Sequence, residues 1–154
     1  MNLNIQALDQ KASCHEIYDL FQLAYKVEAN LVKVEKFPPL LWQPEDIQKR
    51  RGDFWGIYQN SKLIACAQVF QKSGSEVQIH SLVVHPNHFR KGLGASLVDF
   101  VLNHYLYGAI YVETAAVNTP AILLYEKKCF KIIDTYVADL SIEKVRLILD
   151  RSHS

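Results

Sequence analysis

The residues with the clearest chemical potential lie in one stretch, HSLVVHPNHFRKGLGASL, His80 to Leu97. An apolar run, Ile79 to Val84, reads as a buried strand. It stops at Pro86, which has no N–H to give to a ladder. A polar loop, Asn87 to Lys91, ends on two basic residues, Arg90 and Lys91. Gly92-Leu93-Gly94 then opens a segment with Leu93, Leu97, Phe100, Val101 and Tyr105 on one helical face. Strand, basic glycine loop and helix start together make an anion site. The first turn of a helix carries N–H groups without partners and the positive end of its dipole. Glycine lets an anion approach the backbone because no Cβ intervenes. Two common phosphate loops are excluded. A Walker loop needs Gly-Lys-Ser/Thr, and Gly94 is followed by Ala95-Ser96. A Rossmann fingerprint needs a third glycine where Leu97 stands. Taken alone, the pattern is equally that of a tight strand–helix turn.

LVVHPNHFRKGLGASLV resembles the pyrophosphate-binding motif, Q/R-x-x-G-x-G/A, of the GNAT family of N-acetyltransferases. NTPAILLYEKKCF, Asn118 to Phe130, is similar to that family's next motif, N-x-x-A-x-x-x-Y-x-x-x-G-F. Order, spacing and length fit, so the resemblance covers most of the chain. Two positions depart. Phe89 stands where the family has Gln or Arg, which removes a polar side chain but leaves the backbone donors. Cys129 stands where it has Gly. That suggests a helix end without the left-handed cap, a conformation costing a non-glycine residue about 1–2 kcal/mol if kept.

The resemblance implies an acetyl-CoA-dependent N-acetyltransferase that moves an acetyl group directly to a primary amine of a small molecule or peptide. The alternative is a non-catalytic acyl-CoA-binding or sensing module on the same fold, motivated by the missing Gln/Arg and the missing glutamate base. The resemblance assigns backbone contacts with the pantetheine arm to Leu82, Val83 and Val84. It assigns the diphosphate to Arg90, Lys91, Gly92, Leu93, Gly94 and Ala95, and further cofactor contacts to Asn118, Ala121 and Tyr125. Tyr125 matches the tyrosine that protonates the departing sulfur; its plainer reading is a core tyrosine. A phenol near ~10 protonates a thiolate whose acid lies near ~8.5 only with help from position and local field.

The base is open. An alkylamine with pKa near ~10 arrives mostly protonated. The family often places a glutamate near Gln78, which takes no proton. His80 lies two residues along, on the same face. QIHSLVVH resembles HLHVLAVH of arylalkylamine N-acetyltransferases, where the histidine matching His80 relays the proton through water. A structural histidine, Glu28, Glu113 or direct attack by the deprotonated fraction are the alternatives. His85 and His88 have no acid or cysteine at metal-ligand spacing, so no metal is expected.

The elements that must position these residues read as a mixed α/β order. Asn4 to Leu8 is a strand, and Ser13 with Glu16 is a capping box for a helix with Ile17, Phe21 and Ala24 inward, continuing to Leu31. Glu28 falls on that inward stripe, either reaching solvent or a lysine, or holding a substrate ammonium. Phe37 to Trp42 breaks the helix as a pocket wall or a packed loop. Pro44 with Glu45 and Asp46 opens a short second helix. Phe54 to Gln59 and Leu63 to Phe70 form a hairpin across Asn60-Ser61-Lys62. After the central strand, Val77 to Val84, a long helix ends at Gly108 and Ala109 to Thr114 is a strand. Thr119 and Pro120 read as N-cap and first turn of the next helix, and Phe130 to Val137 and Lys144 to Leu149 as closing strands. The expected fold is one GNAT-like domain over 1–154, with a mostly antiparallel sheet of six to seven strands and flanking helices.

Composition bounds the rest. An apolar content of 49% over 154 residues suits a single globular core. The net charge of +1 argues against a nucleic-acid partner. No run approaches the roughly 20 apolar residues of a membrane span, and the N-terminus shows no signal-peptide core. Three cysteines without CxxC spacing favour a cytoplasmic setting with free thiols. An edge strand near the C-terminus offers a route to a homodimer.

Overall fold

The computed structural model describes residues 4–34 and 37–151. The ends of the expected domain, 1–3 and 152–154, lie outside these. The chain runs β1 (Ile5–Leu8), α1 (Cys14–Val32), α2 (Pro44–Lys49), β2 (Asp53–Gln59), β3 (Lys62–Ser73) and β4 (Glu76–Val84). It continues through α3 (Leu93–His104), β5 (Ala109–Ala115), α4 (Thr119–Lys127), β6 (Lys131–Val137) and β7 (Glu143–Asp150). The strands form one 7-stranded sheet in the order β1-β2-β3-β4-β5-β7-β6. All neighbours are antiparallel except β4 and β5, which α3 joins as a parallel crossover. The mixed, mostly antiparallel α/β sheet expected from sequence is therefore the fold.

Burial follows from that order. β3 is central and buried on both faces from Leu63 to Val69. On one face Ile17 and Phe21 of α1 and Ile47 of α2 pack against Phe54, Leu63, Cys66 and Val83. On the other, Leu97, Val98 and Val101 of α3 pack against Val69, Val77, Ile79, Ile110 and Leu147. The β2–β3 turn carries positive φ at both Asn60 (52°) and Ser61 (64°), the geometry whose twist suits a two-residue hairpin.

Four local expectations are corrected. Ser13 does not form a capping box: its backbone is not extended (φ −102°, ψ 9°), and its side chain makes no cap bond. Asp9 holds the turn instead, with Oδ1 accepting from the Lys11 and Ala12 N–H groups at 2.9 Å each. The long helix does not reach Gly108. It ends at His104 because Tyr105 turns extended and donates its hydroxyl to Asp53 at 2.7 Å. The N-cap of α4 is Asn118 rather than Thr119; its Oδ1 accepts from the Ala121 N–H at 3.3 Å.

Cys129 keeps the left-handed conformation, with φ 72°. The N–H of Phe130 donates to the Tyr125 carbonyl and that of Cys129 to the Glu126 carbonyl, both at 3.0 Å. This is the Schellman pairing, and the Tyr125 and Phe130 rings, 5.6 Å apart, supply its apolar contact. Two bonded carbonyls and a ring contact outweigh the strain. Cys129→Gly is accordingly expected to stabilise the chain by about 1 kcal/mol, read as a higher denaturant midpoint.

Candidate active site

The sheet opens where the chemistry was expected. β4 and β5 pair only from Glu76–Ile79 to Ala109–Val112. β4 continues to Val84 while β5 turns toward β7, pairing Thr114 with Val145 and Ala115 with Lys144. A bulge accompanies the divergence: Ser81 faces Gln68 and Ile79 faces Val69, so His80 has no opposing residue. The extra residue bends the strand and re-aims its side chains. A crevice results at the carboxyl ends of the two parallel strands. The stretch of Leu82, Val83 and Val84 lies along it with no β5 backbone to pair with.

At one end stands the turn into α3. His85 donates its N–H to the Ile64 carbonyl at 2.8 Å and accepts from the Asn87 N–H on Nδ1 at 3.1 Å. Arg90 (φ 65°) and Gly92 (φ 76°) then reverse the chain. The first α-helical bond runs from the Ser96 N–H to the Gly92 carbonyl at 3.0 Å. The N–H groups of Leu93, Gly94 and Ala95 thus precede the helical ladder, and no side chain caps them. A Cβ on Gly92 would meet nothing within 4 Å, so the positive φ alone calls for glycine there. A Cβ on Gly94 would lie 3.2 Å from Leu124, so that glycine lets α3 approach α4. Leu93 buries its side chain and offers only its backbone, whereas Arg90 and Lys91 are exposed. Three open donors, a helix dipole, two cations and open space beside Gly92 suit a diphosphate. Phe89, 45% exposed, adds nothing polar.

At the other end is a pocket of about 220 Å³. It brings together Leu82, Asn118, Ala121, Tyr125, His80 and Glu28 from the expected set. Val83 and Val84 point into the two apolar cores on either side of the sheet, so only their peptide groups border the crevice. Tyr125 is 4% exposed, and no described residue hydrogen-bonds its hydroxyl. Burial, with Tyr25 and Glu28 nearby, raises its pKa well above the usual phenol value, so it stays protonated. His80 sits at the bulge with its ring 5.8 Å from Phe70. Partial burial and the charge of Arg50 lower its pKa, with Glu113 opposing. The neutral, proton-accepting form therefore prevails at pH 7.

Glu28 is partly buried at the pocket wall. Burial raises its carboxyl pKa; Lys144, the Ala115 N–H and the Asn118 side chain work against that rise. Among the described residues it forms no ion pair within 4 Å, although Lys144 lies near enough to act on its charge. Glu113 is less suited to act as a base. Burial pushes its carboxyl up, but bonds from Tyr136 and from Arg146, at 2.7 Å to Nη2, bring it below the usual range.

Sequence reasoning missed two residues that line the pocket, Tyr25 and Arg50. Tyr25 sits among the rings of Phe21, Phe37 and Trp42 and donates to Ser81 Oγ at 3.1 Å, its pKa pushed up to about 12 by burial. Its place four residues after Phe21 on the α1 stripe was the available signal. Trp42 makes the breaker segment a pocket wall. Arg50 also lines the pocket, and nothing in its basic run marked it. Among the described residues, no three His, Cys, Asp or Glu side chains gather as a metal site, and no helix is long and apolar enough to cross a membrane.

Comparison with known proteins identifies the family and the fold. A family model described as the acetyltransferase (GNAT) family matches residues 14–129. The Bacillus subtilis UPF0157 protein YqkA is 37% identical over 116 residues, 75% of this chain; the chain spans only 34% of that relative's length. The ribosomal-protein-S18-alanine N-acetyltransferase of Escherichia coli superimposes with a TM-score of 0.77 at 21% identity, covering 99% of this chain and 96% of its own. A GNAT family acetyltransferase from Elizabethkingia anophelis, solved with acetyl-CoA bound, gives 0.68 at 16% identity, covering 97% and 98%.

Proposed function

We infer the function from one premise: this chain belongs to the acetyltransferase (GNAT) family. On it we propose that acetyl-CoA is the donor and that a primary amine of a small molecule or peptide is the acceptor. The amine nitrogen bonds to the thioester carbonyl carbon and the carbon–sulfur bond breaks. Starting from the bound ammonium, the nitrogen loses two protons, one before attack and one after it, and the sulfur gains one, leaving an amide, a thiol and one proton passed to solvent. His80 takes the first proton, directly or through water. Tyr125 faces the sulfur and donates to it as charge develops. Glu28 holds the ammonium form of the acceptor at the pocket wall. The Leu93, Gly94 and Ala95 amides, with Arg90 and Lys91, hold the diphosphate, and the free edge of Leu82 to Val84 takes the pantetheine arm. One domain carries both ends of the reaction.

The observation carrying this reading is the crevice itself, with uncapped amides at one end and an unbonded phenol beside a neutral histidine at the other. Incubation with acetyl-CoA and a panel of amines tests it, free thiol being the readout. Thiol release that depends on the amine supports it. Coenzyme A binding by calorimetry with no turnover for any amine would instead select a binding module. The anchor has its own test. Arg90→Glu with Lys91→Glu is expected to weaken coenzyme A binding about 10-fold, and less at high salt, since exposed charges are screened.

A further inference from the structure

The acceptor pocket holds a guanidinium with no carboxylate to answer it. Arg50 follows α2 directly and turns inward, its guanidinium carbon 4.1 Å from the centre of the Trp42 ring. Nε donates to Gln68 Oε1 at 2.5 Å. Gln68 is itself 1% exposed and is fixed by donating from Nε2 to the Arg51 carbonyl at 2.8 Å. Stacking on one side and a buried amide on the other thus orient the fork. No ion pair forms between Arg50 and any described acid. Glu28 and Glu113 line the same pocket, but Glu28 has the Ala115 N–H, Asn118 and Lys144, and Glu113 has Arg146 and Tyr136. Burial lowers the Arg50 pKa, yet a guanidinium stays charged. A partly buried charge without a counter-ion is costly, and a protein keeps one where a ligand supplies the partner. The planar fork suits a planar carboxylate, bound bidentately by the groups Nε leaves free.

We propose that the acceptor is a small amine that also bears a carboxylate, of the amino-acid class, with its carboxylate on Arg50 and its amine toward Glu28 and His80. This rests on the acetyltransferase reading and narrows its acceptor. The pocket volume of about 220 Å³ is below the range of about 300–1,000 Å³ usual for ligand sites, which favours a compact molecule.

The test uses the full chain, acetyl-CoA, and matched triplets: an amino acid, its amide, and the amine lacking the carboxyl group. The acid is expected to exceed both partners in kcat/KM by about 10- to 100-fold, the range for a hydrogen bond to a charged group. Arg50→Gln is expected to collapse that ratio toward one, and Arg50→Lys to restore part of it. Circular dichroism and coenzyme A binding check that each variant folds. Equal or better use of the uncharged amines would overturn the proposal while leaving the transferase reading intact. Should no amine turn over, that reading fails separately. Calorimetry on the coenzyme A complex then decides the inference: binding of an N-acetyl amino acid weakened by Arg50→Gln supports it, and no binding, or binding indifferent to Arg50, rejects it.

Discussion

Tyr125→Phe is expected to lower kcat by about 10²- to 10⁴-fold, the usual worth of a positioned general acid, while barely moving coenzyme A affinity. The phenol is buried, uncharged at neutral pH and unbonded by any described residue. Its raised pKa makes it a weak acid. The gain comes from a hydrogen bond that strengthens as the sulfur gains charge, with the proton following the electrons. Deleting the hydroxyl leaves no orphaned partner, and the ring keeps its contact with Phe130 across the helix cap. Stability should therefore change little, whereas most losses in kcat from a buried substitution come with a loss of folded protein. The measurement is single-turnover acetyl transfer beside a denaturant titration. A variant as fast as the parent, equally stable, would remove Tyr125 from the chemistry.

His80→Gln carries the second large effect, about 10²-fold in kcat/KM near neutral pH. The sign with pH follows from the lowered His80 pKa. The neutral imidazole is the active form. Because burial and Arg50 hold its pKa below the ordinary ~6.5, the parent should keep its base at pH 7 and lose activity only as pH falls past that lowered value. His80→Gln should lose this acid limb and retain the slow rise with pH that tracks the acceptor amine, whose pKa is near ~10. An unchanged acid limb would assign it elsewhere. Glu113→Gln should keep the acid limb but move it to lower pH, because the Glu113 charge holds the His80 pKa up while its own carboxylate is taken by Arg146 and Tyr136.

The two motifs were legible because they are local. Gly92, Leu93 and Gly94 define a helix start by their own backbone preferences, and Asn118 and Tyr125 share one short helix. The hairpin at Asn60-Ser61 was equally plain. Errors fell where local rules met distant competitors. Ser13 had a capping sequence, but Asp9 took the turn and Tyr58 drew on the side chains of Ser13 and Glu16. Gly108 had a stop signal, but Tyr105 had already left the helix for Asp53. Cys129 lacked glycine's freedom, but the Schellman bonds and the Tyr125–Phe130 contact held its backbone left-handed.

By itself the sequence determined the order of elements, the apolar faces and the two glycine- and tyrosine-bearing motifs, since each depends on neighbours within a turn or two of chain. Only the tertiary structure decided the crevice and the pocket. The crevice needs β7 to draw β5 away while a bulge at His80 bends β4. The pocket needs Arg50 to stack on Trp42 and lock onto Gln68, 18 residues away. Strand pairing and the Arg50–Gln68 bond join residues far apart in the chain, so no local pattern encodes them.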